Sequence, residues 1–205
     1  LIAELQGRGW DVTGLSRSRD GFDVTDEASV QAGLTGLDGA FDLIFVATGA
    51  LVIDGFEPEK TIKAVTPDAL ENQFRLNAIG PFLVLKHSGH LLPKERPAVF
   101  AALSARVGSI GDNRIGGWAS YRTAKAALNQ LLHTSAIEIR RTHKQAVVLA
   151  LHPGTVATDF TAKYAGRHKT VSPEAAARNL VDVVTAAAPE QSGGFYDYAF
   201  KEVPW

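Results

Sequence analysis

An α/β fold with a parallel sheet is predicted by three observations. Strand-like and helix-like segments alternate along the chain, which is the pattern of βαβ units. Several strand-like runs end in loops of Ser, Thr, Gly or Pro, so candidate ligand-binding segments gather at the carboxyl edge of one sheet. No internal repeat, linker or second domain interrupts the 205 residues, so a single domain spans 1–205.

The elements follow in order. Residues 1–8 read as the tail of a helix, with Leu1, Ile2 and Leu5 on one face and Gly9 as its stop. Residues 10–15 follow as a strand, 16–20 as a polar loop and 22–24 as a short strand. Thr25 is the expected cap of a helix over about 26–34. The apolar run 41–47 is a buried strand, ended by Thr48-Gly49. A polar excursion occupies 54–66, and Pro67 starts a long helix through about residue 87. Residues 98–103 form another apolar strand, and 104–120 a loop rich in Gly and Ser. A periodic helix covers 121–141, with Ala127, Leu128, Leu131, Leu132 and Ile137 apolar. Residues 145–151 form a strand that ends at His152-Pro153-Gly154; 173–187 is a helix, and 194–198 a final strand.

Composition excludes several classes. With 45% hydrophobic and 21% charged residues the chain is an ordinary globular protein, not a disordered or fibrous one. A net charge of −1, with Lys and Arg scattered, points away from nucleic acid and from anionic membranes. No apolar run reaches transmembrane length, and no secretory signal pattern opens the chain. The absence of cysteine removes disulfides, thiol chemistry and Cys-ligated metals, and it suits a cytoplasmic setting. The six histidines lack metal-ligand spacing, so no metal is expected. There is no Met and residue 1 is Leu, so the N-terminus is read as incomplete.

The chemistry-bearing pattern is Tyr121-Arg122-Thr123-Ala124-Lys125. A four-residue step puts Tyr121 and Lys125 on one helix face, about one turn apart. An ammonium beside a phenol favours the phenolate, so Tyr121 is expected to exchange protons below the usual value of about 10. Such a group is a general acid/base for interconverting an alcohol and a carbonyl. Taken alone, Y-x-x-x-K also occurs on ordinary solvated helices.

Together with its context, this chain resembles the short-chain dehydrogenase/reductase family, and within it the small carbonyl-reductase-like members of the C-factor kind. The resemblance runs over essentially the whole sequence. It implies a Rossmann-type, doubly wound, three-layer α/β/α fold and an NAD(P)(H)-dependent oxidoreductase that transfers a hydride between nicotinamide and a small carbonyl or alcohol. Tyr121 matches the family's catalytic tyrosine, and Lys125 matches the lysine that holds the nicotinamide ribose. Asn77, in Leu76-Asn77-Ala78-Ile79-Gly80, matches the asparagine of a water-linked proton relay. Read by itself, Asn77 is a kink or a side-chain bond within a helix.

Ser104 is the candidate substrate-orienting serine. The family usually has two serines in a row here, and this chain reads Leu103-Ser104-Ala105-Arg106-Val107-Gly108. Register from Gly108 puts Ala105 in the catalytic slot. Ser104 shifting in, Ser109 substituting, and loss of the hydroxyl all remain open, and Ser104 also suits a plain strand–loop turn.

For the cofactor, Pro153-Gly154-Thr155-Val156-Ala157-Thr158-Asp159 resembles the loop that engages the nicotinamide carboxamide, though Pro-Gly after a strand is also ordinary turn chemistry. Val46-Ala47-Thr48-Gly49 takes the place of the usual Asn-Asn-Ala-Gly, keeping its glycine and losing both asparagines. Asp23 and Val24 fall where the family contacts adenine. Ser16, Arg17 and Arg19 follow the 10–15 strand, where a guanidinium accommodates a 2′-phosphate and a carboxylate would repel it. NADP(H) is therefore expected, with NAD the second choice. The family's first strand and T-G-x-x-x-G-x-G turn are expected ahead of Leu1. The resemblance also implies a homodimer or homotetramer. A second reading stays open: a catalytically impaired member that binds nucleotide or takes part in signalling.

Overall fold

Four parallel strands lie in the order β1-β2-β3-β4. The structure is a computed structural model that describes residues 1–158, 161 and 170–205. In chain order the elements are α1 (Ile2–Gly7), α2 (Arg17–Asp20), α3 (Glu27–Thr35) and β1 (Leu43–Val46). Then come α4 (Pro67–Phe74), α5 (Gly80–His87), β2 (Ala98–Leu103) and α6 (Ala119–Ile139). The chain finishes with β3 (Ala146–His152), α7 (Pro173–Ala186) and β4 (Phe195–Asp197). This is the α/β architecture expected, with helices on both faces of a parallel sheet.

Alternation along the strands sorts the core into two layers. Phe100, Ala102, Val148, Ala150 and Phe195 face one way, against Val30 and Leu34 of α3, Val84 and Leu85 of α5, and Leu128, Leu132 and Ala136 of α6. Val99, Ala101, Val147, Leu149 and Leu151 face the other way, against Leu180, Val183 and Val184 of α7. Because β2 and β3 are covered on both sides, they read as continuous apolar runs. Phe100 is fully buried, and truncating it to alanine should cost roughly 3–5 kcal/mol.

Several local expectations need correction. Residues 10–15 and 22–24 are not strands, because no described strand exchanges ladder hydrogen bonds with them; β1 pairs with β2 alone. The 16–20 loop is instead the helical turn α2. The Ser16 hydroxyl accepts from the Arg19 amide (3.3 Å), and Gly21 closes the turn at φ 68°. Asp26, not Thr25, caps α3 by accepting from the Ala28 amide (3.0 Å). Thr25 is committed to Asp23, whose Oδ1 accepts from its amide (2.9 Å) and hydroxyl (2.7 Å).

The long helix after Pro67 is interrupted by a π-helical turn, Arg75–Ile79, between α4 and α5. Pro81 lacks the N–H that an α-helix would return to the Asn77 carbonyl, and the widened turn sits where that bond is missing. Asn77 lies inside this turn.

The segments after β1, β2 and β3 lie side by side at the carboxyl edge. Leu103 is in register with Leu151, the Ser104 amide donates to the Leu151 carbonyl (2.8 Å), and His152 is in register with Asp197. Among the described residues no helix is long and apolar enough to cross a membrane.

Candidate active site

The helix α6 begins two residues before the expected start. Trp118 takes the left-handed conformation (φ 54°, ψ 41°) and turns the chain into it. Tyr121 therefore sits in the first turn and Lys125 one turn on, both buried, at 6% and 2% exposure. Lys125 Nζ lies 5.8 Å from the centre of the Tyr121 ring and donates to the Leu103 carbonyl oxygen at 2.9 Å. The rings of Trp118 and Tyr121 meet edge-on, with centres 6.4 Å apart.

Two glycines permit this packing. A Cβ on Gly108 would stand 2.8 Å from Lys125 Cβ. One on Gly49 would stand 2.9 Å from Asn77 Oδ1 and 3.5 Å from Lys125 Nζ, so β1's exit, the π turn and α6 converge on that bare backbone.

Burial overturns the expected electrostatics of the pair. It pushes the Tyr121 phenol above its ordinary range and pushes Lys125 down to about 7. Both groups have lost water around their charged forms, so each favours neutrality. The sequence spacing placed the two groups correctly, but it carried no information about desolvation.

Asn77 is fully buried and does more than mark a kink. Its Oδ1 accepts from the Ala50 amide (3.2 Å), and its Nδ2 donates to the Ala50 carbonyl (2.8 Å) and to Gln73 Oε1 (2.6 Å). Gln73 Nε2 donates in turn to the Leu51 carbonyl (2.9 Å). Gln73 escaped the sequence reading; its signal was the i, i+4 spacing to Asn77 on one helix face.

Ser104 is at the expected strand end and is 4% exposed. Its hydroxyl donates to Asn129 Oδ1 on α6 at 2.6 Å. The Ser109 hydroxyl accepts from the Asp112 amide (3.0 Å) and closes the turn after Gly108. Ala105 brings no hydroxyl to the slot between them.

His152, beside Ser104 at the sheet edge, has a buried Nδ1 with no partner. Burial first, then the positive charge of Arg106, pushes it down to about 4. Arg106 bridges Asp112 (2.5 Å) and reaches Asp197 at 3.9 Å.

Of the residues expected to hold a nucleotide, Thr48 and Gly49 follow β1, and Pro153 and Gly154 follow β3. Thr48 Oγ1 is buried without a partner among the described residues. Lys125 Nζ uses one acceptor among the described residues, leaving two N–H groups for others. Both fit a polyhydroxyl group laid over Gly49. Arg17 is exposed and forms no side-chain hydrogen bond or ion pair among the described residues. Arg19 is held by Ser16 Oγ (3.2 Å) and the Gly14 carbonyl (3.4 Å). Val24 is buried against Gly80, where a Cβ would come within 2.9 Å of it. The Thr25 hydroxyl, then its amide, hold the Asp23 carboxyl below the ordinary carboxylate range.

Pro153 and Gly154 leave β3, and Val156 bridges to Val171. The Thr155 carbonyl accepts from the Val171 amide (3.0 Å), and the Thr158 carbonyl accepts from the Thr161 amide (2.9 Å). Asp159, in the expected carboxamide loop, lies outside the described residues.

Comparison with known proteins adds an independent line. The family model described as enoyl-(acyl carrier protein) reductase matches residues 20–191. The 1-hydroxy-2-glutathionyl-2-methyl-3-butene dehydrogenase of Rhodococcus is 33% identical over 178 residues, 85% of this chain and 74% of that one. C-signal of Myxococcus xanthus is 35% identical over 135 residues, 64% of this chain and 76% of its own length. Among solved structures, a candidate short-chain dehydrogenase/reductase from Burkholderia multivorans, with bound NADP, superposes with a TM-score of 0.81 at 27% identity. It covers 100% of this chain and 92% of that one.

Proposed function

The chain belongs to the short-chain dehydrogenase/reductase family, and on that premise we propose that it is an NADP(H)-dependent reductase of a small ketone or aldehyde, with Tyr121 as its acid. The observation that carries this reading is the buried Tyr121–Lys125 pair, tied through Lys125 to the end of β2, with the Lys125 Nζ beside the bare backbone of Gly49.

Lys125, Thr48 and Gly49, with the Pro153, Gly154, Thr155, Val156 and Thr158 loop, would hold the nicotinamide end of the cofactor. Ala47 precedes them on the same exit from β1. Asp23 and Val24 would flank the adenine, and Ser16, Arg17 and Arg19 would take the 2′-phosphate. The exposed guanidinium of Arg17 supports NADP(H) over NAD, since it offers a planar, fixed charge to phosphate. When bound, the nicotinamide supplies or accepts the hydride.

The protein's share is proton management. Burial keeps the Tyr121 phenol protonated at neutral pH, so the resting side chain is a donor to a carbonyl oxygen that gains negative charge. Lys125, pushed down to about 7 by burial, moves between amine and ammonium near neutral pH. Asn77 and Gln73 fix the loop after β1 through the Ala50 and Leu51 carbonyls.

A second reading has its own support. Ser104 donates to Asn129, Ala105 offers no hydroxyl, and one relative is named C-signal. A family member that binds nucleotide without turnover fits those facts. NADPH oxidation with a panel of ketones and aldehydes, alongside NADPH binding by fluorescence, separates the two. Turnover that collapses in Tyr121→Phe supports the reductase; tight binding with no turnover of any compound supports the second reading.

A further inference from the structure

The first turn of α6 has no cap from its own sequence. Trp118 stands at the N-cap position in the left-handed conformation, and its side chain makes no cap bond. The first amides of a helix need acceptors, and they point along the axis toward whatever precedes them. Here the acceptor comes from the 54–66 excursion. Glu59 is 6% exposed, although Glu57 and Lys60 around it are exposed.

Three bonds run from this one residue. The Glu59 carbonyl accepts from the Trp118 amide at 2.5 Å. Its carboxylate accepts from the Ser120 hydroxyl and, at 3.4 Å, from the Ser120 amide. From the other side Arg122 holds the same turn, donating to the carbonyls of Gly117 (2.8 Å), Gly116 (3.2 Å) and Val107 (3.3 Å). Tyr121 lies between Ser120 and Arg122, so the two clamps fix the backbone on either side of it.

We propose that Glu59 is a positioning residue for Tyr121, setting the angle at which the phenol enters the site by fixing residues 118 and 120. A carboxylate suits this place twice over. It accepts from the orphan Ser120 amide and from the hydroxyl of the same residue, and its charge lies at the positive end of a 21-residue helix. The buried location makes the contact more than a surface cap, because no water can replace the lost oxygens without opening the loop. The proposal rests on the reading of Tyr121 as the acid, and its test keeps the two apart.

The test compares Glu59→Ala, Glu59→Gln, Ser120→Ala and Tyr121→Phe in the full chain, by amide hydrogen exchange and by NADPH-dependent carbonyl reduction. Glu59→Ala should speed exchange in residues 119–123 while leaving the β2 and β3 amides protected. It should lower kcat about tenfold with KM for NADPH nearly unchanged, as expected for a misplaced acid. Glu59→Gln keeps an oxygen for Ser120 and should recover most of both. Ser120→Ala should move the same way by less, and it serves if Glu59→Ala does not fold. Wild-type exchange at 119–123 in Glu59→Ala overturns the proposal. So does loss of kcat together with cofactor affinity and protection throughout the chain. If Tyr121→Phe keeps full activity, the acid assignment has failed and the proposal with it, whereas the exchange pattern still reports whether Glu59 holds the turn.

Discussion

Lys125 Nζ donates to the Leu103 carbonyl oxygen at 2.9 Å, and this bond joins the Tyr121 helix to the end of the central strand β2. The ammonium is nearly sealed from water and has this single described acceptor, a poor exchange for hydration. A charge kept under those conditions is costly, and its cost makes several predictions.

The first concerns stability. Lys125 is pushed from its ordinary 10.5 to about 7. Between those values the unfolded chain binds a proton that the folded chain does not, so stability rises with pH across that window. Below about 7 the folded state carries the full penalty, on the order of 5 kcal/mol. Lys125→Met should therefore be more stable than wild type at pH 6, by a few kcal/mol, and the gap should shrink toward pH 10. Denaturant titrations across that range check it; an equal gap at both ends contradicts it. The variant should also be inactive, an example of function traded against stability.

The second concerns acid. His152 is pushed from 6.5 to about 4, so the unfolded chain takes up a proton first as pH falls. Stability is lost from about pH 6.5 down to about 4, by roughly 3 kcal/mol. His152→Gln should flatten that part of the profile, measured by thermal midpoint at a series of pH values.

The third concerns the serine. The Ser104 hydroxyl donates to Asn129 Oδ1 and must leave that bond before it donates to a substrate carbonyl. Ser104→Ala should lower kcat by less than about tenfold, and Ala105→Ser should raise it by restoring a donor at the vacant slot. Steady-state kinetics on one carbonyl substrate decides. A large loss in Ser104→Ala and none gained in Ala105→Ser would return the orienting role to Ser104.

The fourth concerns cofactor choice. If the Arg17 guanidinium takes the 2′-phosphate, Arg17→Ala should weaken NADPH at least about tenfold and leave NADH nearly unchanged. Equal losses for both cofactors contradict that assignment.

Much of this was legible in the sequence. Apolar runs such as 98–103 and 145–151 marked buried strands because both faces are covered, and the four-residue step marked Tyr121 and Lys125. Local signals failed where a partner outside the segment decides. Residues 10–15 have strand composition, yet no described strand pairs with them. Thr25 looked like a cap, but Asp23 two residues back had claimed it. Glu59 could not be found, because a charged residue in a polar excursion shows nothing of its burial against a helix 61 positions on. The lowered phenol failed for the same reason: charge proximity is readable from spacing, and desolvation is a property of the packed fold.

The most direct test is the rate of NADPH oxidation by the full chain with a panel of small ketones and aldehydes, wild type against Tyr121→Phe. The account predicts measurable turnover of at least one compound and a loss of at least about a hundredfold in Tyr121→Phe, with NADPH affinity retained. Turnover undiminished by removing the Tyr121 hydroxyl would contradict it.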